Sequence, residues 1–220
     1  MKSGTADSAR KAAAWEHYWK RKSILMRLML WAQNRFLVPK FARAITPYIK
    51  TGDNVLEAGC GTGMNTVYAC SLLRAEPWVL DISEESLNEA RRRAGLRGLL
   101  LRAIQGDIRH MPFAGRCFDV VWNQGVVEHF EDPVEVMSEM ARVGKTVFVA
   151  VPRKALLRGL VQSAKARVGL AADDIFHLYT ERQLVGLMSQ TNRLRLKASG
   201  SFNCLLIFSW TWACGIARGK

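Results

Sequence analysis

A short apolar segment that runs into three alternate glycines constrains the fold of this chain more than any other feature. Residues 54–58 are mostly apolar, glycines follow at positions 59, 61 and 63, and residues 64–73 read as a helix. Alternate glycines let the backbone turn tightly and let a ligand approach it closely. The N-terminus of the following helix adds free N–H groups and a partial positive charge. The sequence therefore predicts a strand, a ligand-binding loop and a helix, with a loop suited to a carboxylate or phosphate group.

Two common classes of glycine-rich loop do not match this sequence. A dinucleotide loop needs a sixth-position glycine in GxGxxG, but that position holds Met64 counted from Gly59 and Thr66 counted from Gly61. A P-loop needs Gly-Lys-Ser or Gly-Lys-Thr, and this loop has neither. The pattern that remains is an acidic residue followed by alternate glycines, Glu57-Ala58-Gly59-Cys60-Gly61-Thr62-Gly63.

Strand and helix signals alternate through the middle of the chain. Further strands are predicted at residues 78–81, 99–105, 118–122 and 146–151, with helices at 86–93 and 133–143. Ser83 is expected to cap the first of these helices at its N-terminus and Gly95 to cap it at its C-terminus. The strands are nearly continuously apolar, which fits burial on both faces of a parallel sheet. Alternation of this kind over about 100 residues predicts a doubly wound α/β fold.

The two flanks read differently from the middle. Residues 9–45 have helical spacing of apolar side chains, and Pro39 is expected to divide them into two helices. After Pro152 we expect helices at 154–168 and 180–190, then strands at 193–198 and 204–212 around a link at 200–203. Two consecutive strands with a short link predict an antiparallel hairpin at the sheet edge.

Three further features lie in register with the glycine loop. Asp81 ends the second strand, where a carboxylate can accept hydrogen bonds from both hydroxyls of a ribose. Gly106-Asp107-Ile108 follows the third strand, and residues 118–133 read FDVVWNQGVVEHFEDP. With the loop at 57–63, this set resembles class I S-adenosylmethionine-dependent methyltransferases, and specifically the type 11 group related to ubiquinone and menaquinone enzymes. The resemblance covers roughly residues 50–152.

The resemblance implies a mostly parallel, seven-stranded, Rossmann-like methyltransferase fold with the C-terminal antiparallel hairpin. It implies S-adenosyl-L-methionine as the cofactor, with Asp81 on the ribose, Asp107 on the adenine amino group and Ile108 on the adenine ring. It also implies a basic helical lid at residues 1–50 and a cofactor-binding domain at 51–220. The residues expected to bind the cofactor are Glu57, Gly59, Gly61, Gly63, Asp81, Ile82, Asp107, Ile108 and Asn123.

Catalytic groups are fewer than binding groups in this sequence. A sulfonium methyl donor is already activated, so a general base is needed only for a hydroxyl or carbon-acid acceptor. His129, just beyond the fourth strand, is the candidate base, whereas His177 is expected to be structural. His17 and Tyr18 are candidates for the acceptor pocket. Residues 123–126 lack the prolines of methyltransferases that act on adenine or glutamine amino groups, which disfavours nucleobase N-methylation by that route.

Charge distribution gives the remaining expectations. The net charge is +13, and it is concentrated at residues 1–50 (net +9) and 151–220 (net +8), while 51–150 carry net −4. The expected acceptor is a small lipid-like, quinone-like or anionic molecule, with peripheral contact to an anionic membrane. Nucleic acid is a less favoured partner, and an RNA or protein methyltransferase and a silent cofactor-binding scaffold are the alternatives. We expect a metal-free cytoplasmic protein with reduced cysteines.

Overall fold

The computed structural model describes the backbone of residues 24–153, 177–204 and 208–219, and the side chains of 35–153, 177–203 and 209–219. Within these ranges the helices are α1 (Ile24–Ile45), α2 (Met64–Leu73), α3 (Glu84–Gly95), α4 (Pro133–Val143) and α5 (Glu181–Gln190). The strands are β1 (Asn54–Ala58), β2 (Glu76–Asp81), β3 (Arg102–Gln105), β4 (Phe118–Gln124), β5 (Gly144–Pro152), β6 (Leu194–Cys204) and β7 (Phe208–Ala217). The predicted helix at 154–168 lies outside the described residues.

The seven strands form one sheet in the order β3-β2-β1-β4-β5-β7-β6. The pairs among β3, β2, β1, β4 and β5 are parallel, whereas β7 is antiparallel to both β5 and β6. The strand order reverses between β1 and β4, and ligands of such sheets bind at the carboxyl ends of the strands beside this reversal. The predicted doubly wound sheet with a C-terminal antiparallel hairpin is therefore confirmed.

Helices cover both faces of the sheet. On one face, α1 and α2 pack on alternate side chains of β1, β4, β5 and β7, and α3 packs beside them on Val79 of β2. On the other face, α4 and α5 pack on the remaining alternate side chains, including Leu56, Val121 and Val149. Most side chains of β1, β2, β4 and β5 are thus buried on one face or the other, which explains the continuous apolar runs of these strands.

The helix starts follow from local hydrogen bonds. The Ser83 hydroxyl accepts from the Ser86 N–H at the start of α3, and Asp132 caps α4 directly before Pro133. Thr180 and Gln183 form a reciprocal capping box at α5. The predicted N-cap at Ser83 is confirmed. The predicted C-cap at Gly95 is wrong, because Gly95 is the last residue of the helix and Leu96 is the C-cap.

Pro39 does not divide the first helix, so the expectation of two helices is wrong. The helix α1 runs without a break from Ile24 to Ile45 with Pro39 inside it. Proline removes the hydrogen bond to the carbonyl four residues earlier, which belongs to Arg35. Arg35 and Pro39 are both exposed, so water can satisfy that carbonyl. The apolar side chains of the second half, including Phe41 and Ile45, are buried in the core.

The hairpin begins and ends later in the sequence than predicted. Residues 200–203, expected to link two strands, lie inside β6 and pair with β7. Gly200 is needed there for packing, since a Cβ at this position would lie 2.8 Å from Cζ2 of Trp212 across the pair.

The third strand is also shorter than predicted, because it begins at Arg102 and not at residue 99.

The division into a lid at 1–50 and a domain at 51–220 stays a prediction. The described part of the first segment packs into the same core as the sheet, because Leu37, Phe41 and Ile45 join one buried cluster with Trp122 and Phe148. Phe41 is fully buried. The second half of α1 is therefore a structural layer of the fold.

Candidate active site

The glycine loop between β1 and α2 lies at the carboxyl edge of the sheet. Gly59, Gly61 and Gly63 have φ angles of +76°, +51° and +62°, a region that favours glycine. A Cβ at Gly59 would lie 2.7 Å from Cγ2 of Val126, and one at Gly63 would lie 2.7 Å from the Cβ of Ala90. The loop therefore packs tightly between the segment after β4 and helix α3, and no larger residue fits at these two positions without movement.

Asp81, at the end of β2, holds the glycine loop by a direct hydrogen bond. Its Oδ2 accepts from the Gly61 N–H at 2.8 Å, and its Oδ1 accepts from the Ser83 N–H at 2.9 Å. Burial raises the pKa of this carboxyl group, while the Ser83 and Gly61 hydrogen bonds act to lower it. Each carboxylate oxygen has a second acceptor position. Asp81 thus fixes the loop and still offers acceptor positions for a ligand's hydroxyl groups.

Glu57 is a buried anchor beneath the loop. Its Oε2 accepts from the Thr66 hydroxyl at 2.6 Å and from the Thr66 N–H at 3.3 Å in the first turn of α2. The Trp122 indole N–H of β4 donates to the same hydroxyl at 3.2 Å. This chain of hydrogen bonds joins β1, α2 and β4. Glu57 is 2% exposed, so the structure makes it a positioning residue, and its direct contact with a cofactor stays a prediction.

The Glu57 carboxyl group predicts a specific pH dependence of stability. Burial raises its pKa from the ordinary 4.5 to about 8, despite the lowering effect of the Thr66 hydrogen bonds. Between these values the folded protein keeps a proton that the unfolded chain releases, so raising the pH favours unfolding. We expect Glu57 to make the free energy of unfolding fall from pH 5 to pH 8, by at most about 1.4 kcal/mol per pH unit.

Urea denaturation at several pH values tests this expectation. The Glu57→Gln variant keeps an oxygen that can accept from Thr66 but does not titrate. Its free energy of unfolding should therefore decline less between pH 5 and pH 8 than that of the wild type. Parallel pH profiles for the two proteins would mean that Glu57 is ionised in the folded state.

Asp107 is held by an arginine that the sequence reasoning missed. Arg109 donates through Nη2 to Asp107 Oδ2 at 2.7 Å and through Nε to Oδ1 at 3.1 Å. The Arg109 guanidinium also lies over the Phe130 ring, 5.8 Å from its centroid. Its basic side chain two residues after Asp107 is the sequence signal that could have indicated this pair. The adenine role of Asp107 stays a prediction, and Arg109 connects that position to the segment after β4.

Two isoleucines were expected to bind the cofactor, Ile108 on the adenine ring and Ile82 without an assigned contact. Ile108 is buried in the core under α4, with 5% of its surface exposed. Ile82 is partly exposed, and its carbonyl accepts from Gln105 Nε2 at 3.1 Å. Asp81 and Ile82 lie at the end of β2, and Asp107 lies just after the neighbouring β3, at the carboxyl edge of the sheet. Of the two isoleucines, Ile82 is the more accessible to a ligand.

Asn123 does not join the other predicted residues through its side chain. It is fully buried, and its Nδ2 contacts Met140 Sδ of α4 at 3.2 Å, on the face of the sheet away from the glycine loop. The strand alternation places the next residue, Gln124, on the loop's face instead. Gln124 Oε1 accepts from Asn65 Nδ2 of α2 at 2.6 Å. The cofactor contact expected for Asn123 stays a prediction, and Gln124 is the side chain nearer the loop.

The candidate base lies in a short 3-10 turn at Val127–His129, directly after β4. The backbone N–H of His129 donates to the Val126 carbonyl at 3.0 Å, and its side chain is partly buried. The exposed His177 donates its backbone N–H to the Glu128 carbonyl at 3.0 Å, which ties the segment before α5 to this turn. The catalytic role of His129 stays a prediction. His17 and Tyr18 lie outside the described residues.

The arrangement suits a nucleoside-containing cofactor. The positive-φ loop offers close backbone approach, Asp81 offers acceptors to hydroxyl groups, and Asp107 follows the neighbouring strand. In the part of the chain that the structure describes, no group of His, Cys, Asp and Glu side chains could hold a metal ion. No described helix is long and apolar enough to cross a membrane.

Comparisons with known proteins identify this architecture. A family model described as a methyltransferase domain matches residues 56–147. The uncharacterised methyltransferase YodH of Bacillus subtilis is 31% identical over 104 residues, which are 47% of this chain and 44% of that protein. The fatty-acid O-methyltransferase of Mycolicibacterium smegmatis is 30% identical over 111 residues, 50% of this chain and 40% of that protein. The chain thus spans less than half the length of these relatives.

A solved structure extends the likeness of fold to nearly the whole chain. Magnesium protoporphyrin IX methyltransferase from Synechocystis, solved with bound S-adenosylhomocysteine, has a TM-score of 0.71 and 16% sequence identity. The match covers 98% of this chain and 100% of that one. At this identity the match shows a common fold, and it places the hairpin and α1 within that fold as well.

Proposed function

This chain carries a class I S-adenosylmethionine-dependent methyltransferase domain of the type 11 group, and we propose that it transfers a methyl group to a small, lipid-like acceptor. The observation that carries the proposal is the hydrogen bond from the Gly61 N–H to Asp81, within a domain matched over residues 56–147. This bond joins the glycine loop to the carboxylate expected on the ribose. The loop and the carboxylate therefore form one preorganised unit for the cofactor.

The chain's own residues act by binding and orienting. When bound, S-adenosyl-L-methionine supplies a methyl group on a positively charged sulfur, which is already activated for transfer. The Glu57–Thr66–Trp122 hydrogen bonds fix the loop against β4, whose carboxyl end borders the reaction site. Correct alignment of reacting groups can lower a barrier by about 7–11 kcal/mol in the best cases. For a hydroxyl acceptor, we propose His129 as the base that removes the proton.

An apolar acceptor is supported by the aromatic side chains at this edge. Phe41 of α1 makes edge-to-face contacts with Phe202 of β6 and Trp210 of β7, with ring centroids 5.1 Å and 5.2 Å away. The exposed basic side chains Arg35, Lys40 and Arg43 lie on the same helix, which supports an anionic group on the acceptor or an anionic membrane surface nearby. The name of the M. smegmatis relative gives a fatty acid as that protein's acceptor.

A labelling experiment tests the proposed activity. Purified protein is incubated with S-adenosylmethionine carrying a tritiated methyl group and with a total bacterial extract divided into lipid, RNA and protein fractions. We expect label in the lipid fraction. Label in RNA or protein alone would overturn the acceptor class, and no label in any fraction would overturn the enzymatic function.

Calorimetry on the same preparation supplies the control for cofactor binding. The protein should bind S-adenosylmethionine and S-adenosylhomocysteine but not NAD, because the loop lacks the glycine pattern of a dinucleotide site. NAD binding without S-adenosylmethionine binding would contradict the cofactor assignment itself.

A further inference from the structure

Trp210 lies at the carboxyl edge of the sheet, next to the end of β4. It pairs with Pro152, the last residue of β5, and with Phe202 of β6. The far edge of its indole packs over Gly125, where a Cβ would lie 3.4 Å from Cη2 of the ring. Gly125 follows β4 directly, one residue before the Val126 that contacts Gly59 of the cofactor loop. The indole therefore borders the region between the cofactor loop and the aromatic side chains.

The indole nitrogen of Trp210 is a buried donor with no acceptor in the described structure. The residue is 5% exposed, and its Nε1 has no hydrogen-bond partner among the described residues. A buried donor left without a partner is unfavourable, because it loses its hydrogen bond to water on folding. A phenylalanine would fill much of the same apolar space without that loss. If a ligand supplied an oxygen atom as the acceptor, the presence of a tryptophan and not a phenylalanine at this position would be explained.

The side chains around this donor indicate what kind of ligand would fit beside it. The Phe41 ring packs edge to face against the Trp210 indole, and Phe202 of β6 packs edge to face against Phe41. Lys40 donates through Nζ to the Asn203 carbonyl, which holds α1 against the hairpin beside Phe202. Phe202 is partly exposed, so it is the side chain past which a ligand can approach. Aromatic walls with a single donor suit an apolar molecule that carries one oxygen as hydrogen-bond acceptor.

We propose that Trp210 determines acceptor specificity, and that its indole N–H donates a hydrogen bond to an oxygen of an apolar acceptor bound between α1 and the β6–β7 hairpin. The inference rests on the proposed function, since it names the acceptor's contact at the same reaction site. The shared chemistry is an alkyl or isoprenoid body with a hydroxyl, carbonyl or carboxylate oxygen. A carboxylate and a hydroxyl are distinguished by the two probes below.

Nuclear magnetic resonance of the seven tryptophan indoles provides the test. Protein labelled with ¹⁵N at tryptophan is saturated with S-adenosylhomocysteine and titrated with dodecanoate or, separately, with 1-dodecanol. The Trp210 resonance is identified by its absence from the Trp210→Phe spectrum. We expect at least one probe to move this indole proton downfield more than any other, and Trp210→Phe to bind that probe about tenfold more weakly. A response to dodecanoate alone indicates an anionic acceptor, and one to dodecanol a neutral acceptor.

The matched control is Trp212→Phe, two residues further along the same face of β7. Trp212 stacks on Phe148 with ring centroids 5.3 Å apart, and it is partly exposed. Its substitution should leave probe affinity within about twofold. The proposal is overturned if neither probe moves the Trp210 resonance, or if the two substitutions weaken binding equally.

A second variant covers the case in which Trp210→Phe does not fold. Phe202→Leu keeps the indole donor but removes the ring through which the ligand approaches, and it should also weaken the binding of the responsive probe. Unchanged probe binding in a folded Phe202→Leu protein would contradict the proposed location. Absent binding of S-adenosylhomocysteine by the wild type would instead contradict the proposed function, so the two failures are distinguishable.

Discussion

Replacing Asp81 with asparagine is expected to weaken S-adenosylmethionine binding by about 10- to 150-fold. The carboxylate would lose charge-assisted hydrogen bonds to the ribose, which contribute roughly 1.5–3 kcal/mol. The substitution also removes one of the two acceptors that hold the Gly61 and Ser83 N–H groups, so the loop loses part of its support. Titration calorimetry measures the affinity, and circular dichroism verifies that the variant is folded at the temperature used.

The chain offers a matched control in Asp119→Asn. Asp119 also accepts a backbone N–H, from Asn54 at 3.0 Å, but it lies at the opposite edge of the sheet, where β4 begins. Its ion pair with Lys145 is partly exposed and contributes little to stability. Cofactor affinity in this variant should stay within about twofold of the wild type. An Asp81→Asn protein that binds the cofactor equally well would assign Asp81 to loop structure alone.

Replacing Gly61 with valine is expected to reduce cofactor affinity about 100-fold, which corresponds to about 2.7 kcal/mol. Gly61 has a φ angle of +51°, and a β-branched residue in such a conformation is strained by roughly 1–3 kcal/mol. The loop can relieve that strain only by leaving the conformation in which Gly61 donates to Asp81. The added methyl groups would also restrict close approach of a ligand to the backbone.

Gly52→Val separates backbone strain from loss of the site. Gly52 has a φ angle of +81° in the turn before β1, and a Cβ there would meet nothing within 4 Å. This variant should lose stability by a similar mechanism but keep its affinity for S-adenosylmethionine. Equal affinities of folded Gly61→Val and wild-type protein would rule out the glycine loop as the cofactor site.

The part of the fold nearest the glycine loop could be predicted from sequence because its signals are local. The loop, Asp81 and the strands beside them each follow from an apolar run or a glycine spacing within one short segment of the sequence. Gly200 is the contrasting case, since its role depends on the Trp212 ring across a strand pair. A glycine between two apolar segments indicates a turn unless that cross-strand partner is known.

The side-chain partners within the site were less predictable for the same reason. Thr66 joins Glu57 to Trp122, and this contact depends on how three separate elements face each other, whereas Arg109 binds Asp107 within one loop. The opposite orientations of Asn123 and Gln124 follow from strand geometry, because successive side chains occupy opposite faces of the sheet. The uninterrupted helix at Pro39 likewise depends on which side of α1 faces solvent.

The position of β7 has a consequence during synthesis of the protein on the ribosome. The strand is inserted between β5 and β6, although it follows both in the sequence. A growing chain therefore presents β5 with one unpaired edge from the synthesis of Pro152 until Ala217 has been added. At about 5–20 residues per second this interval lasts roughly 3–13 seconds. An open apolar strand edge promotes association with other chains, so nascent copies on one polysome are most vulnerable to aggregation during this interval, and chaperone engagement is most useful then.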